Sequence, residues 1–573
     1  MKRVVFSAIG LLAAGLAVLW AVAQLDQAQA PQLPALMPEG ALVYIEAKDF
    51  GALLNDWNGS EQKRAWLAGD NYQAFSRSRL FQRLAQAQQE FSTAAGLATD
   101  YGFLNTVAGK ESCLAVYDIG NLAFVYVTRM DEHAAESTPL WQLRSSFQQR
   151  TEGGAQFYVR RDAQSGRTAA FAATNGWLIL ATREDLLAGV LDRLQSPATR
   201  SLADDGWFAN AVKRASGPQG DLRMVLNLEK LVPSPYFRSY WVQQNITEMK
   251  QYSAAISDLY RATANDREER VLLRKPGLAA TATGDVDALA ALAPGDAVFF
   301  SAQASPNAAS VLSVLRENLL EVKPAQIQSE WNTAPPPPLS EDVGSAAMLD
   351  VRIDQAPVVV PRADAYAPLR QLLTAAQPTA LLQVYSTQAS ADGVFVRISN
   401  AVVIQAEENW NDETVCDALA AAIEPGLTAG RIGLGWAQRS GSSASYFALD
   451  GRLPLYLAVR DNQLFVTNDS GLLEQLLARR RNSALNSQAG DTYLAAFRHS
   501  PREQQSFRAL FALLDKNAGG GEQVMQPQGQ APAFFSGNMA SLSRMFANVN
   551  LETVQEKDQG ATVTQTVVYQ WSH

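Results

Sequence analysis

Cysteine and histidine are both scarce in this sequence, with two and three residues among 573. The histidines are His133, His499 and His573, and none lies at metal-ligand spacing to another histidine or to a cysteine. The sequence therefore carries no zinc signature. Cys113 and Cys416 are too few for a disulfide framework in so long a chain, and we expect both to be buried free thiols.

Motifs for nucleophilic catalysis and nucleotide binding are also lacking. No Gly-x-Ser-x-Gly turn, which would expose a serine nucleophile, occurs in the chain. The stretch 102–112 resembles a phosphate-binding loop only superficially, because Glu111 separates Lys110 from Ser112 and the glycines are too far apart. We interpret it as a turn that leads into a strand. The sequence predicts no catalytic residue, no cofactor and no metal site, and the protein is expected not to be an enzyme.

Positive charge is in the minority. Lys plus Arg number 48 against 57 Asp plus Glu, which gives a net charge of −9. Proteins that bind nucleic acid usually present a basic face, so nucleic acid is not expected as a partner. Hydrophobic residues make up 47% of the chain, which is enough for large cores.

The N-terminus predicts export. Lys2 and Arg3 precede an uncharged apolar run at 4–23, and a Gln-, Ala- and Pro-rich tether follows at 24–35. About twenty apolar residues can span a bilayer, and the positive flank keeps the N-terminus in the cytoplasm. Residues 28–30 (Ala-Gln-Ala) also fit a signal-peptidase site. Two alternatives remain: an inner-membrane anchor within 1–23 with a periplasmic body, or a cleaved signal peptide that leaves a periplasmic or secreted protein.

One pattern occurs twice. Phe171–Leu194 contains a strand, a turn at Asn175-Gly176, a second strand and a helix, and Leu457–Arg480 has the same order with Asp461-Asn462 at the turn. The offset is 461 − 175 = 286, and the helix leucines share it. A shared spacing over this length predicts a duplicated domain.

We place the two copies at 36–290 and 291–573. Strands and helices come in blocks with hairpin connections, so each copy is expected to be an α+β unit, with an antiparallel sheet and helices on one face. Any Cys113–Cys416 disulfide would have to join elements of different copies.

Several short motifs in the first half resemble a known family. They are Leu36-x-Pro38-x-x-Ala41, Trp57, Trp66, Val107-Ala108-Gly109-Lys110-Glu111-Ser112 and Tyr117-Asp118-Ile119-Gly120-Asn121-Leu122. In these motifs the chain resembles an exported bacterial family known as domain of unknown function 3352. The resemblance is strongest over residues 36–290. The resemblance implies a fold and an exported location, and it implies no active site.

A segment that is present only in the first copy is a candidate partner surface. After Pro235 the first copy carries about fifteen residues more than the second, and the aromatic side chains among them have helical spacing. They are Tyr236, Phe237, Tyr240 and Trp241. Aromatic anchors dominate protein interfaces, although an apolar stripe on a helix also suits a core.

Three functions are compatible with the sequence. The first is an anchored, non-enzymatic envelope protein with a structural or protein-binding role. The second is a binder of an apolar ligand, lipid or peptide in a cleft between the repeats, because domain interfaces are common ligand sites. The third is an unrecognised hydrolase whose acid–base pair comes from carboxylates that have no recognisable spacing in the sequence.

Overall fold

A computed structural model gives the structure of the chain between residues 32 and 571. It describes this range apart from 69–71, 73–75, 77–78, 197–198, 235–248, 263–264, 279, 281–285, 321–363, 390–395, 424–434, 451–453, 480–489 and 499–548. The predicted membrane span at 4–23 lies outside the described residues. Within them, no helix has the length and apolar character needed to cross a bilayer.

Among the described residues the fold is mixed, with 34% helix and 37% strand, and every strand pair described below is antiparallel. The α+β class is therefore confirmed. The chain divides into two compact units between Leu278 and Ala279. The division precedes the predicted boundary at 290, because the helix Val286–Ala290 packs in the core of the second unit.

The first unit contains ten described strands. They are β1 Val43–Ala47, β2 Ser112–Asp118, β3 Ala123–Arg129, β4 Gln148–Glu152, β5 Ala155–Arg161, β6 Thr168–Thr174, β7 Trp177–Ala181, β8 Leu222–Leu226, β9 Tyr252–Tyr260 and β10 Asn265–Arg274. They form one antiparallel sheet in the order β4-β5-β6-β7-β3-β2-β1-β8-β9-β10.

Its described helices lie before and between these strands. They are α1 Leu33–Leu36, α2 Phe50–Gly59, α3 Glu61–Leu67, α4 Arg79–Ala95, α5 Tyr101–Val107, α6 Glu132–Glu136, α7 Pro139–Gln142, α8 Glu184–Gln195, α9 Gly206–Lys213 and α10 Leu228–Leu231. Short 3-10 turns occur at Arg144–Ser146 and Leu202–Asp204.

Helices cover both faces of this sheet. Trp177, Ile179 and Ala181 of β7 pack with α8 in one core, whereas Leu178 and Leu180 face the opposite way and pack with α4 and α5 in another. The prediction of helices on one face is therefore wrong for this unit. The physical reason is that β7 is apolar at every position, a pattern typical of strands buried on both faces.

The turn between β6 and β7 forms for a local reason. Asn175 and Gly176 have φ values of 52° and 76°. Two positive φ values make the tight hairpin turn that matches strand twist, and Asn and Gly adopt that conformation most readily. The strand–turn–strand–helix predicted for this stretch is present, with α8 following directly.

The second unit also contains ten described strands. They are β11 Phe299–Ala304, β12 Pro378–Ala389, β13 Val396–Ala406, β14 Ala437–Ser440, β15 Ser445–Leu449, β16 Leu455–Arg460, β17 Gln463–Thr467, β18 Asp491–Arg498, β19 Val549–Asp558 and β20 Thr562–Trp571. Their order is β14-β15-β16-β17-β13-β12-β11-β18-β19-β20, again antiparallel.

Helices of the second unit also lie on both sides of its sheet. They are α11 Val286–Ala290, α12 Ala308–Leu315, which continues as a π-helix over Arg316–Leu320, α13 Ala367–Ala376, α14 Asp412–Ala422 and α15 Ser470–Ala478. Phe465 of β17 packs with α11 and α15, while Leu464 and Val466 pack with α12, α13 and α14. Here too, a single helical layer was the wrong expectation.

Candidate functional site: an aromatic cavity in the first unit

A cavity of about 1140 Å³ lies in the first unit between its sheet and helices α2 to α5. The sheet side includes Ile45, Leu114, Tyr126 and Leu180, which are directly paired on the neighbouring strands β1, β2, β3 and β7. Directly paired residues point to the same face of a sheet, so these four form one row across the cavity floor. The volume is slightly above the usual range of ligand pockets, about 300–1,000 Å³.

Ten aromatic side chains contribute to the lining. They are Phe50, Trp57, Trp66, Tyr72, Phe81, Phe91, Tyr101, Phe103, Phe124 and Tyr126. Several of their rings meet edge to face or tilted, as in Tyr72–Phe81 at 6.0 Å and Phe91–Phe124 at 5.8 Å between centroids. Such arrangements are favourable between aromatic rings and leave their apolar surfaces available to a ligand.

Side-chain caps begin three of the helices around the cavity. Asp49, Ser60 and Asp100 accept hydrogen bonds from the first-turn N–H groups of α2, α3 and α5, at 2.8, 3.1 and 3.0 Å. Each cap satisfies an N–H that has no partner within its helix and fixes where the helix starts. The sequence thus determines these helix starts locally.

Glycine is required where α5 joins β2. A Cβ at Gly109 would lie 2.3 Å from the carbonyl oxygen of Arg129, which is far inside van der Waals contact. The close approach lets Gly109 donate its N–H to Thr128 Oγ1 at 3.1 Å. This is the stretch that resembles a phosphate loop, and it is the predicted turn into the strand that carries Cys113.

Most charged groups of the lining are engaged. Arg167 Nε lies 2.8 Å from Glu90 Oε2, and Arg167 Nη1 donates to the Asn121 carbonyl at 2.6 Å. Asp118 accepts from the backbone and side-chain N–H groups of Asn121, at 3.0 and 2.8 Å. The backbone hydrogen bond from Asn121 leads the causes that hold the pKa of Asp118 below its usual range, so this carboxyl is ionised at neutral pH.

Lys63 is the exception among the lining charges. Its Nζ lies 2.5 Å from Asn58 Oδ1 and 4.5 Å from the centroid of the Tyr101 ring, and it is half-buried. No described carboxylate forms a salt bridge with it. Lys63 therefore brings a positive charge to an apolar cavity with neutral partners only.

The cavity is open to solvent and carries exposed apolar side chains on its rim. Four of its large apolar lining residues are exposed, namely Trp57 at 42%, Leu67 at 41%, Tyr101 at 55% and Leu104 at 37%. They lie on α2, α3 and α5, the helices that surround Lys63. Exposed apolar side chains around a cavity are typical of a ligand entrance or a contact surface.

The predicted site residues are not among the residues that line this cavity in the described part of the chain. Tyr236, Phe237, Tyr240 and Trp241 lie outside the described residues, so the candidate partner surface stays a prediction. The cavity itself was missed in the sequence. The signal available for it in the sequence was the group of aromatic residues before and along α4, of which Tyr72, Phe81 and Phe91 line the cavity.

Both cysteines are free and buried, as predicted. Cys113 is the second residue of β2, and Cys416 lies in α14. Burial is the main cause that raises the pKa of both thiols, that of Cys416 to about 11. Such thiols are protonated at neutral pH and unreactive. Among the described residues, no group of three or more His, Cys, Asp or Glu side chains is placed to hold a metal ion.

Comparisons with known proteins give little guidance. No protein-family model matches the chain. No curated protein matches it significantly. Two solved structures, of crystal forms I and III of TP0453, are similar to part of it, with 11% and 9% sequence identity and TM-scores of 0.24 and 0.23. Each match covers 44% of this chain, and 81% and 82% of those chains. At these TM-scores the similarity supports no conclusion about fold or function.

Proposed function

We propose that the first unit binds an apolar ligand in the cavity between its sheet and helices α2 to α5. The observation that carries the proposal is a cavity of about 1140 Å³ with a mostly apolar lining to which ten aromatic side chains contribute. Ligand sites are typically concave, mostly apolar and supplied with a few polar groups, and this cavity has all three properties. The proposal places the ligand within one unit and not in a cleft between the repeats.

A cavity-filling substitution tests the proposal. Ala87 lines the cavity from α4, so Ala87→Trp would put an indole into the space that a ligand needs. Ala85 on the same helix is exposed and does not line the cavity, which makes Ala85→Trp the matched control. We expect the unmodified protein and Ala85→Trp to bind Nile red, a neutral apolar dye, saturably. Ala87→Trp should lose at least tenfold in affinity, and unchanged binding would refute the proposal.

We also propose an exported location for the protein, as the sequence suggests. The support is the apolar run at 4–23 with its positive flank. A retained segment makes the protein a single-pass inner-membrane protein with a periplasmic body, and cleavage makes it periplasmic or secreted. We also propose an envelope protein as a partner. The candidate surface for it comprises Tyr236, Phe237, Tyr240 and Trp241, and this part of the proposal rests on the sequence alone.

We propose, finally, that the two units descend from one duplicated unit. The strand order β4-β5-β6-β7-β3-β2-β1-β8-β9-β10 becomes the order of the second unit when each strand is replaced by its counterpart. Asn175 and Asp461, which are 461 − 175 = 286 residues apart, both have a φ of 52° at the same hairpin position. A crystal structure in which 157–194 and 445–480 fail to superpose would contradict the duplication.

A further inference from the structure

We propose that the ligand is an amphiphile with one anionic head group, a carboxylate or a phosphate, which Lys63 binds at the cavity mouth. This inference rests on the proposed binding function and adds the chemical class of the ligand. The apolar tail of the amphiphile would lie among the aromatic rings, and its head group would remain near the exposed rim. Three observations support it.

The first observation is the position of Lys63. It lies in α3, and its backbone N–H donates to the cap Ser60 at 3.1 Å, so the start of the helix fixes its Cα. Its Nζ contacts the Asn58 amide oxygen and the face of the Tyr101 ring. Both partners are neutral, and Tyr101 belongs to the exposed rim. The ammonium group is therefore held at the entrance.

The second observation is the charge balance of the lining. Arg167 is paired with Glu90, and Arg183 is paired with Asp185. Asp118 and Asp100 accept backbone N–H groups. Within the described part of the chain, Lys63 is thus the lining cation without a salt bridge. An ammonium beside an apolar surface loses hydration, and an anionic ligand would supply the missing counter-charge.

The third observation is the amphipathic gradient from mouth to floor. Lys63 lies beside the exposed ring of Tyr101, whereas Leu114 and Leu180 line the floor on the sheet. A molecule that is charged at one end and apolar along the rest would satisfy both regions at once. A wholly apolar ligand would leave Lys63 uncompensated, and a wholly polar one would leave the rings without contacts.

The test uses cis-parinaric acid, a fluorescent 18-carbon carboxylate, and its methyl ester, which has the same chain without the charge. Both are titrated into the full chain, into Lys63→Met, which keeps length without charge, and into Lys63→Arg. Lys213, an exposed lysine on α9 outside the lining, gives the matched control Lys213→Met. Oleic acid and oleoyl lysophosphatidic acid then compete with the bound probe, to distinguish a carboxylate from a phosphate head group.

We expect Lys63→Met to weaken binding of the acid by about tenfold or more, because a charge-assisted hydrogen bond is lost. Binding of the ester should stay unchanged, which also shows that the cavity remains folded. Lys63→Arg should retain acid binding, and Lys213→Met should behave like the unmodified protein. At least one of the two competitors should displace the probe.

Two kinds of result would contradict different parts of the proposal. If Lys63→Met binds the acid and the ester with the same change in affinity, or with no change for either, the head-group assignment is overturned while apolar binding stands. Displacement by neither competitor would overturn it as well. Failure of the unmodified protein to bind the ester or Nile red would refute the proposed function itself.

Discussion

Arg223 and Asp258 lie directly opposite each other on β8 and β9 and form a two-point salt bridge. The Nε–Oδ1 distance is 2.8 Å and the Nη2–Oδ2 distance is 2.9 Å. The two side chains are only 10% and 4% exposed, and the Gly220 N–H donates to the same carboxylate. Planar guanidinium and carboxylate groups match in this geometry, and the pair fixes the register of β8 against β9.

Removing one partner of this pair should be costly. Asp258→Ala leaves a buried guanidinium without its counter-charge, and we expect it to lower the free energy of unfolding by about 3–5 kcal/mol. The exposed pair Arg183–Asp185 provides the control, since Asp185→Ala should cost at most about 1 kcal/mol. Urea unfolding followed by circular dichroism measures both, and similar losses for the two variants would contradict the prediction.

Gly109→Ala should destabilise the first unit. The added methyl would overlap the carbonyl of Arg129, and overpacking of this kind costs about 1–3 kcal/mol. Gly206, at the start of α9, has nothing within 4 Å of the position of a Cβ, so Gly206→Ala should be neutral or slightly stabilising. Thermal melting compares the two, and a neutral Gly109→Ala would show that the loop can shift away.

The Cys416 thiol should link stability to alkaline pH. Burial, with smaller effects from Asp412 and Asp417, raises its pKa from 9.0 to about 11. The folded protein therefore holds this proton more tightly than the unfolded chain does. The resulting stability is fully present below about pH 9 and is lost as the pH rises towards 11.

Cys416→Ala removes this dependence. The stability of the unmodified protein relative to the variant should fall between about pH 9 and 11, as measured by urea midpoints. Both thiols should also resist a thiol reagent at neutral pH until the chain unfolds. A pH-independent difference between the two proteins, or fast labelling of the folded chain, is the contrary result.

Much of the local structure could be predicted from the sequence, because local signals determine it. The turn at Asn175-Gly176, the hairpin of β2 and β3, and the buried leucines of α15 all depend on neighbouring residues. The pairing of β3 with β7 could not be predicted, since about fifty residues separate these strands and alternation says nothing about which strand is the neighbour.

The cavity could not be predicted from the sequence for a related reason. Its lining runs from Ile45 to Leu222, and periodicity assigns each apolar residue to a buried face without showing whether that face is filled. The second helical layer was predictable in principle. Residues 177–181, apolar at every position, indicate a strand covered on both sides, whereas hairpin connections alone suggested one covered face.

The proposed export can be tested with protease on cells whose outer envelope has been opened. In cells opened at the outer envelope, external protease should degrade the body of the protein, because the positive flank before 4–23 orients the chain outwards. A retained anchor should leave the undigested protein in the membrane fraction, and cleavage should release it. A cytoplasmic protein serves as the protected control, and protection of the body would contradict export.

The aromatic segment after Pro235 gives a last prediction. Phe237→Ala together with Trp241→Ala should abolish capture of an envelope partner in a crosslinked pull-down from membranes, while the melting temperature stays nearly unchanged. Ala87→Trp is the matched control, since it alters the cavity and leaves this segment intact. A large fall in melting temperature for the double variant would instead identify the two rings as core.

Helix α14 packs directly on the sheet of the second unit, whereas a cavity separates α4 from part of the sheet of the first unit. In the second unit, Val402 and Ile404 of β13 pack into a continuous buried cluster with α14. In the first, β3 contributes Phe124 and Tyr126 to the cavity wall. The proposed binding function predicts different selective pressures on these two surfaces. Substitutions across homologues should be compensatory and volume-conserving in the second unit, while ring sizes around the cavity of the first unit should vary with the proposed ligand.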